Sequence, residues 1–110
     1  MKLPNAGTAI VDERKVRDYL LNPGHPDNGG KAAFFEALGF TRSAPGLLVD
    51  ALRHSADGEV ARKSTSPHGD KYVVDAILTA PTGHVREVRT VWIVDSGTTA
   101  PRLVTAYPRV

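Results

Sequence analysis

The chain has 110 residues, of which 41% are hydrophobic and 24% charged, and its formal net charge is +2. This length and composition predict a single folded domain over residues 1–110, with one modest core. The absence of cysteine excludes disulfides, thiolate metal sites and cysteine nucleophiles. No apolar run approaches the ~20 residues that cross a bilayer, so we expect no membrane partner.

The first half of the chain has the pattern of helices. Caps, helical spacing of apolar residues and glycine or proline stops predict helices over residues 12–21, 31–39 and 43–54. Asp12 is the expected N-cap of the first helix. The third helix is expected to begin at Ser43-Ala44-Pro45, with Ser43 as the cap and proline in the first turn.

After Ala56-Asp57-Gly58 the apolar pattern changes to a period of two. This pattern predicts strands over about residues 59–64, 71–80, 84–95 and 102–107. Val73 and Ile77 lie on the second face of the second strand, so that strand is expected to be central and covered on both sides. Helices followed by strands predict an α+β fold, with three N-terminal helices packed on one face of a roughly four-stranded antiparallel sheet.

The segment His25-Pro26-Asp27-Asn28-Gly29-Gly30-Lys31 concentrates acid–base and anion-binding groups. An imidazole in a Pro/Gly loop suits proton transfer near neutral pH. The Lys31 ammonium beside the free N–H groups of a helix start would hold a phosphate. A solvent-exposed loop with an incidental lysine is an equally good interpretation.

The last strand, Pro101–Pro108, places Thr105 and Tyr107 on one face with Leu103, and Arg102 on the other. Thr105 could orient a phosphate oxygen, and Tyr107 could stack on a base or donate a proton. Arg102 could neutralise charge that develops on phosphorus. The structural alternative is a β-forming threonine and a tyrosine that covers the edge of the core.

In the preceding strand, Arg89 and Thr90 lie where the pattern changes from polar to apolar, and Trp92 is expected in the core. No two histidines stand at a metal-ligand spacing, and no phosphate-binding or dinucleotide-binding glycine motif is present. We therefore expect neither a metal nor a cofactor.

Several segments in order resemble a family of small bacterial domains of unknown function, DUF6883, which occurs as stand-alone chains and at the C-termini of large exported toxins. The segments are Leu3-Pro4-Asn5-Ala6, Tyr19-Leu20-Leu21-Asn22, His25 with Gly30-Lys31-Ala32, Phe34-Phe35, Leu38-Gly39-Phe40, Thr90-Val91-Trp92-Ile93 and Pro101-Arg102-Leu103-Val104-Thr105-Ala106-Tyr107-Pro108. The N-terminus, Met1-Lys2-Leu3-Pro4-Asn5-Ala6, has no apolar signal core, so we expect a chain that acts in the cytoplasm, either alone or delivered as part of an exported protein.

More distantly, helices followed by four strands with a Thr-x-Tyr-Pro end resemble the barnase/EndoU/colicin/RelE class of ribonucleases, which cut RNA without a metal. This resemblance implies that His25 is the acid–base residue and that Lys31 and Arg102 hold the scissile phosphate. Thr90, Thr105 and Tyr107 would line the cleft. The implied catalytic set is then His25, Lys31, Thr105 and Tyr107, with Arg89, Thr90 and Arg102 binding substrate.

Three hypotheses follow. The first is a metal-independent endoribonuclease toxin domain that acts on RNA, with tRNA among the candidates, and is neutralised by a cognate immunity or antitoxin protein. It predicts that His25 and Lys31 share a cleft with Thr105 and Tyr107. The second is a non-enzymatic interaction module such as an immunity or antitoxin-like protein, which predicts separated segments and an exposed apolar or sheet-edge patch. The third is a nucleotide-binding domain that uses the Gly29-Gly30-Lys31 turn.

Overall fold

The computed structural model describes residues 1–109, in which three helices precede four strands. Helix α1 is an α-helical turn, Glu13–Lys15, that continues as a π-helical turn, Val16–Leu20. The other elements are α2 (Lys31–Ala37), α3 (Pro45–Ser55), β1 (Glu59–Ser66), β2 (Gly69–Thr79), β3 (Val85–Asp95) and β4 (Arg102–Pro108). The strands form one antiparallel sheet in the order β1-β2-β3-β4. The predicted α+β order is confirmed.

The helix starts differ in how they are capped. The Asp12 carboxylate accepts a hydrogen bond from Arg14 N at 2.8 Å, which confirms the predicted cap of α1. Ser43 does not cap α3, because its hydroxyl pairs with Thr41 Oγ1. The N-cap of α3 is Ala44, without a side-chain bond, and Pro45 opens the helix as expected.

The core lies between the helices and one face of the sheet. Trp92 is fully buried there, as predicted, and its indole N–H donates to Thr90 Oγ1. The largest fully buried side chains include Leu20, Phe35, Phe40, Leu48, Leu52, Leu78, Val74 and Val88. In this core, side chains from all three helices pack against every second residue of β2 and β3.

The other face of the sheet, here called the open sheet face, carries the alternate residues of the strands, among them Val73, Ile77, Arg89 and Val91. These residues lie outside the core cluster. Val73 is 6% exposed, but Ile77 is 57% exposed, so β2 is covered on both sides only in part. Ile77 lies beyond the point where β1 begins to pair with β2, at Glu59 opposite Asp75.

The passage from α3 into the sheet depends on Gly58. A Cβ at this position would overlap the Asp75 carbonyl oxygen and crowd Ala76. Glycine is therefore required by close approach rather than by an unusual φ angle. Among residues 1–109, no helix has the length and apolar character needed to span a membrane.

Candidate functional site

A groove of about 400 Å³ opens beside β4, where α1 and the loop before α2 meet the edge of the sheet. Its lining combines an ammonium, a phenol, an imidazole, a carboxylate and a hydroxyl. The lining residues are Lys15, Tyr19, His25, Asp27, Val104 and Thr105. Two of them, His25 and Thr105, are candidates from the sequence that are 80 positions apart in the chain.

Tyr19 is at the centre of this groove. Its hydroxyl shares a hydrogen bond of 3.0 Å with Thr105 Oγ1, and its ring meets the His25 ring edge-on at 5.0 Å between centroids. The ammonium groups of Lys15 and Lys31 lie 5.8 and 5.5 Å from the centre of the Tyr19 ring. One side chain thus contacts two cations, an imidazole and a hydroxyl.

The π-helical turn of α1 sets the position of Tyr19. Leu21 N donates to Val16 O at 2.9 Å, an i to i+5 bond that widens the last turn. Such turns are rare and frequently lie at functional sites. Lys15 precedes the turn, and its ammonium donates to Val104 O of β4 at 3.1 Å, which ties α1 to the strand.

A β-bulge in β4 brings two consecutive side chains into the groove. Trp92 pairs with Leu103 and Val91 pairs with Thr105, so Val104 is an extra residue. Val104 and Thr105 both line the groove, while Leu103 and Ala106 are buried in the core.

The bulge corrects the predicted faces of β4. Leu103 does not share a face with Thr105, because it turns into the core beside Trp92. Arg102 pairs with Ile93 and Tyr107 pairs with Arg89, both residues of the open sheet face. The extra residue therefore places Arg102, Thr105 and Tyr107 on one side, although an uninterrupted alternation would separate the first from the other two.

The loop before α2 holds His25 by its own backbone. His25 Nδ1 accepts from Asp27 N at 3.1 Å, which leaves the hydrogen of the neutral imidazole on Nε2. Gly29 and Gly30 take φ angles of +61° and +87°, which glycine adopts without strain.

Lys31 does not line the groove. Its ammonium turns back to the carbonyl oxygens of Asn28, at 3.1 Å, and Asp27, at 3.4 Å, while lying over the Tyr19 ring. It thus adds positive charge behind Tyr19, although we expected it to contact a phosphate directly.

Thr90 departs most from its expected role. Its side chain is fully buried, donates to Val74 O at 3.3 Å and accepts from Trp92 Nε1 at 2.8 Å. It therefore satisfies the indole N–H inside the core and touches no groove. Its burial excludes a direct contact between Thr90 and a substrate in the groove.

Arg89, Arg102 and Tyr107 lie on the open sheet face, outside the lining of the groove. Arg89 donates to both Asp75 oxygens, at 2.7 and 3.1 Å, and Arg102 donates to both Asp95 oxygens, at 2.7 and 3.2 Å. These bonds lower the pKa of each carboxyl below its ordinary value, and Arg109 adds to the effect at Asp75. Because Tyr107 follows Thr105 by two residues, about 7 Å along the strand, this face adjoins the groove.

The sequence prediction missed Lys15 and Tyr19. Tyr19 stands at helical spacing from Val16 and next to Leu20, so the pattern assigned it to the apolar face of the helix. The i, i+4 spacing of Lys15 and Tyr19 was the signal that both lie on one side of a helix. Within the described range 1–109, no cluster of three or more His, Asp or Glu could hold a metal ion.

Comparisons with known proteins agree with this fold. The model of a family described as a domain of unknown function, DUF6883, matches residues 2–110. A chain from the structure of a contact-dependent growth inhibition toxin–immunity protein complex from Klebsiella pneumoniae 342 superposes with a TM-score of 0.75. It is 14% identical, and the match covers 96% of this chain and 97% of that chain, which shows a shared fold. No curated protein matches the sequence.

Proposed function

The chain is a member of the DUF6883 family, whose description assigns no activity, and we propose that it is a metal-independent endoribonuclease of a toxin–immunity system. One observation carries the proposal. A phenol, a hydroxyl, an imidazole and one ammonium group line a single groove, and a second ammonium lies behind the phenol ring. These are the groups that transfer protons and stabilise charge in phosphodiester cleavage.

The first requirement of RNA cleavage is a site for the scissile phosphate. The lining of the groove has the Lys15 ammonium and the Asp27 carboxylate, and Lys31 adds a second positive charge behind Tyr19. Ammonium groups bind phosphate as point charges. Arg89 and Arg102 on the adjoining open sheet face would bind the flanking phosphates.

The second requirement is a pair of groups that move protons. The ribose 2′-hydroxyl attacks the phosphorus and gives its proton to His25. The bond from phosphorus to the 5′-oxygen breaks, and that oxygen takes a proton from the Tyr19 hydroxyl, which Thr105 orients. The products are a 2′,3′-cyclic phosphate and a 5′-hydroxyl, and solvent restores both side chains.

The hydrogen bond from Asp27 N to His25 Nδ1 must open before His25 can act as the base in this mechanism. The lone pair of Nδ1 accepts the substrate proton only when the bond from Asp27 N is released. The bond is exposed and 3.1 Å long, so its net contribution is on the order of 1 kcal/mol. Catalytic hydrogen bonds commonly form only once substrate is bound.

The toxin-system part of the proposal is supported by the shared fold with a chain of a growth inhibition toxin–immunity complex. We propose that a cognate immunity protein binds this chain and that RNA, with tRNA as first candidate, is its substrate in the cytoplasm. The alternative is a non-enzymatic partner in such a system. The exposed residues of β1, at the edge of the sheet, favour that alternative because an open strand edge can pair with another chain.

The test is cleavage of total RNA and purified tRNA in excess chelator by the parent, Tyr19→Phe and His25→Ala. His68→Ala is the matched control, because His68 lies in the exposed turn between β1 and β2. We expect cleavage by the parent and the control, and loss of cleavage in the two groove variants while both remain folded. A folded parent that leaves RNA intact would support the interaction-module alternative.

A further inference from the structure

Asn28 is the one buried polar side chain of the loop that carries His25. It is 3% exposed, and its backbone N–H donates to His25 O at 3.0 Å. An amide at such depth must find partners for two N–H groups and a carbonyl. In this loop all three are satisfied.

The amide nitrogen caps the end of α1. It donates to Tyr19 O at 2.6 Å and to Leu20 O at 3.2 Å, two carbonyls at the end of the π-helical turn, of which Tyr19 O also accepts from Asn22 N at 3.3 Å. The amide oxygen accepts from Ala32 N of α2 at 2.9 Å. One side chain therefore joins the residue that carries the phenol, the loop that carries the imidazole and the start of α2.

The same residue also holds Lys31, through its carbonyl oxygen. That oxygen accepts from the Lys31 backbone at 3.1 Å and from the Lys31 ammonium at 3.1 Å. Tyr19, His25 and Lys31 belong to three different segments, and Asn28 is bonded to each of those segments.

We propose that Asn28 is a positioning residue that sets the distance between the Tyr19 and His25 rings, and so the geometry of proton transfer in the groove. The inference rests on the proposed function for its catalytic consequence, but not for its structural one. Aspartate has the same shape but would face the carbonyls of Tyr19 and Leu20 with an acceptor. Alanine would remove the Asn28 donor from Leu20 O and the acceptor from Ala32 N, and would leave Tyr19 O with its bond from Asn22 N alone.

The test compares Asn28→Ala with Ser55→Ala. Ser55 is also buried and polar, and its hydroxyl donates to Leu52 O within α3. Circular dichroism and a cooperative melt establish that each variant folds. Asn28→Ser, which puts one hydroxyl in place of the amide, replaces Asn28→Ala if the alanine variant does not fold.

Two readouts separate this inference from the proposed function. Nuclear Overhauser effects between the Tyr19 and His25 ring protons should weaken in the Asn28 variant and persist in Ser55→Ala. The rate of RNA cleavage under saturating substrate should fall roughly 10- to 100-fold in the Asn28 variant, because a small misplacement of catalytic groups slows a reaction by about this factor. The control should cleave as the parent does.

Unchanged ring contacts in a folded Asn28 variant would overturn the inference, whatever the cleavage rate. If the ring contacts are lost in the Asn28 variant and the parent chain itself does not cleave RNA, the positioning role is supported and the proposed function is contradicted. Lost contacts with an undiminished cleavage rate would contradict the catalytic consequence of the role.

Discussion

Tyr19 contacts every polar group that we assign to the chemistry of the groove. Its hydroxyl bonds to Thr105, its ring meets His25, and two lysine ammonium groups lie within 6 Å of the ring centre. This residue-scale arrangement, rather than any single residue type, is the reason to place the reaction here.

Lys15 provides a charge test at the residue scale. Lys15→Met keeps the aliphatic stem but removes the ammonium that lines the groove, so we expect RNA cleavage to fall about tenfold or more. The salt dependence of substrate binding should also become shallower, by about one phosphate contact. Measurement of KM at increasing salt concentrations gives this salt dependence for the parent and the variant.

The matched control is Lys63→Met, since Lys63 lies on β1, at the edge of the sheet opposite β4 and on the other side from Arg89 and Arg102. An equal loss of cleavage in both variants would show that only the overall charge of the chain matters. That result would contradict the specific role of Lys15.

Residue types alone selected His25 and Thr105, because an imidazole in a Gly/Pro loop and a hydroxyl beside a phenol stand out by chemistry. They could not separate Thr90 from Thr105. Both are strand threonines, but Thr90 is needed inside the core to accept the Trp92 N–H. The hydrogen bond from the Trp92 indole to Thr90 depends on how Trp92 is buried, which residue types alone do not show.

At the scale of elements, two irregularities form the site. The π-helical turn presents Tyr19, and the bulge at Val104 brings Thr105 beside it. Each inserts one residue into a regular pattern, so periodicity predicts the helix and the strand but not the π-helical turn or the bulge within them. The expected grouping of Leu103 with Thr105 was wrong for this reason.

The junction between α3 and β1 gives a second element-scale prediction. Gly58→Ala should lower the free energy of unfolding by about 2 kcal/mol or more, because its Cβ overlaps the Asp75 carbonyl oxygen. Gly46→Ala is the matched control, since Gly46 lies in α3 with open space around it. That change should stabilise the chain by about 0.5–1 kcal/mol.

Chemical denaturation of the two variants measures both values. The account of the junction fails if Gly58→Ala is as stable as the parent.

At the scale of the molecule, the ion pairs of the open sheet face predict how stability depends on pH. The Asp75 carboxyl is 17% exposed, and its pKa is lowered chiefly by its bonds to Arg89 and further by Arg109. A carboxyl with a lowered pKa stabilises the fold above the ordinary pKa of aspartate. That contribution is lost as the pH falls through the lowered pKa.

Asp75→Asn should therefore be less stable than the parent at pH 7, by roughly 1 kcal/mol. The two should converge as the pH approaches 2, where the parent carboxyl is protonated too. Urea midpoints at pH 7, 4 and 2.5 test this. A constant difference across that range would contradict the assigned pairing.

The order of helices and strands followed from periodicity, because a helix buries a side chain about every 3.6 residues and a strand buries every second one. The approach of residues 25 and 105 did not follow, because it depends on how α1 lies along β4. Membership of DUF6883 extends over nearly the whole chain and agrees with that order.

The measurement that tests the central claim most directly is the chemistry of the RNA ends left by the parent in excess chelator. We expect 2′,3′-cyclic phosphate and 5′-hydroxyl ends, together with resistance of a DNA strand of the same sequence, because the attacking group is the 2′-hydroxyl. Products with 5′-phosphate and 3′-hydroxyl ends, or cleavage of the DNA strand, would contradict the mechanism assigned to Tyr19 and His25.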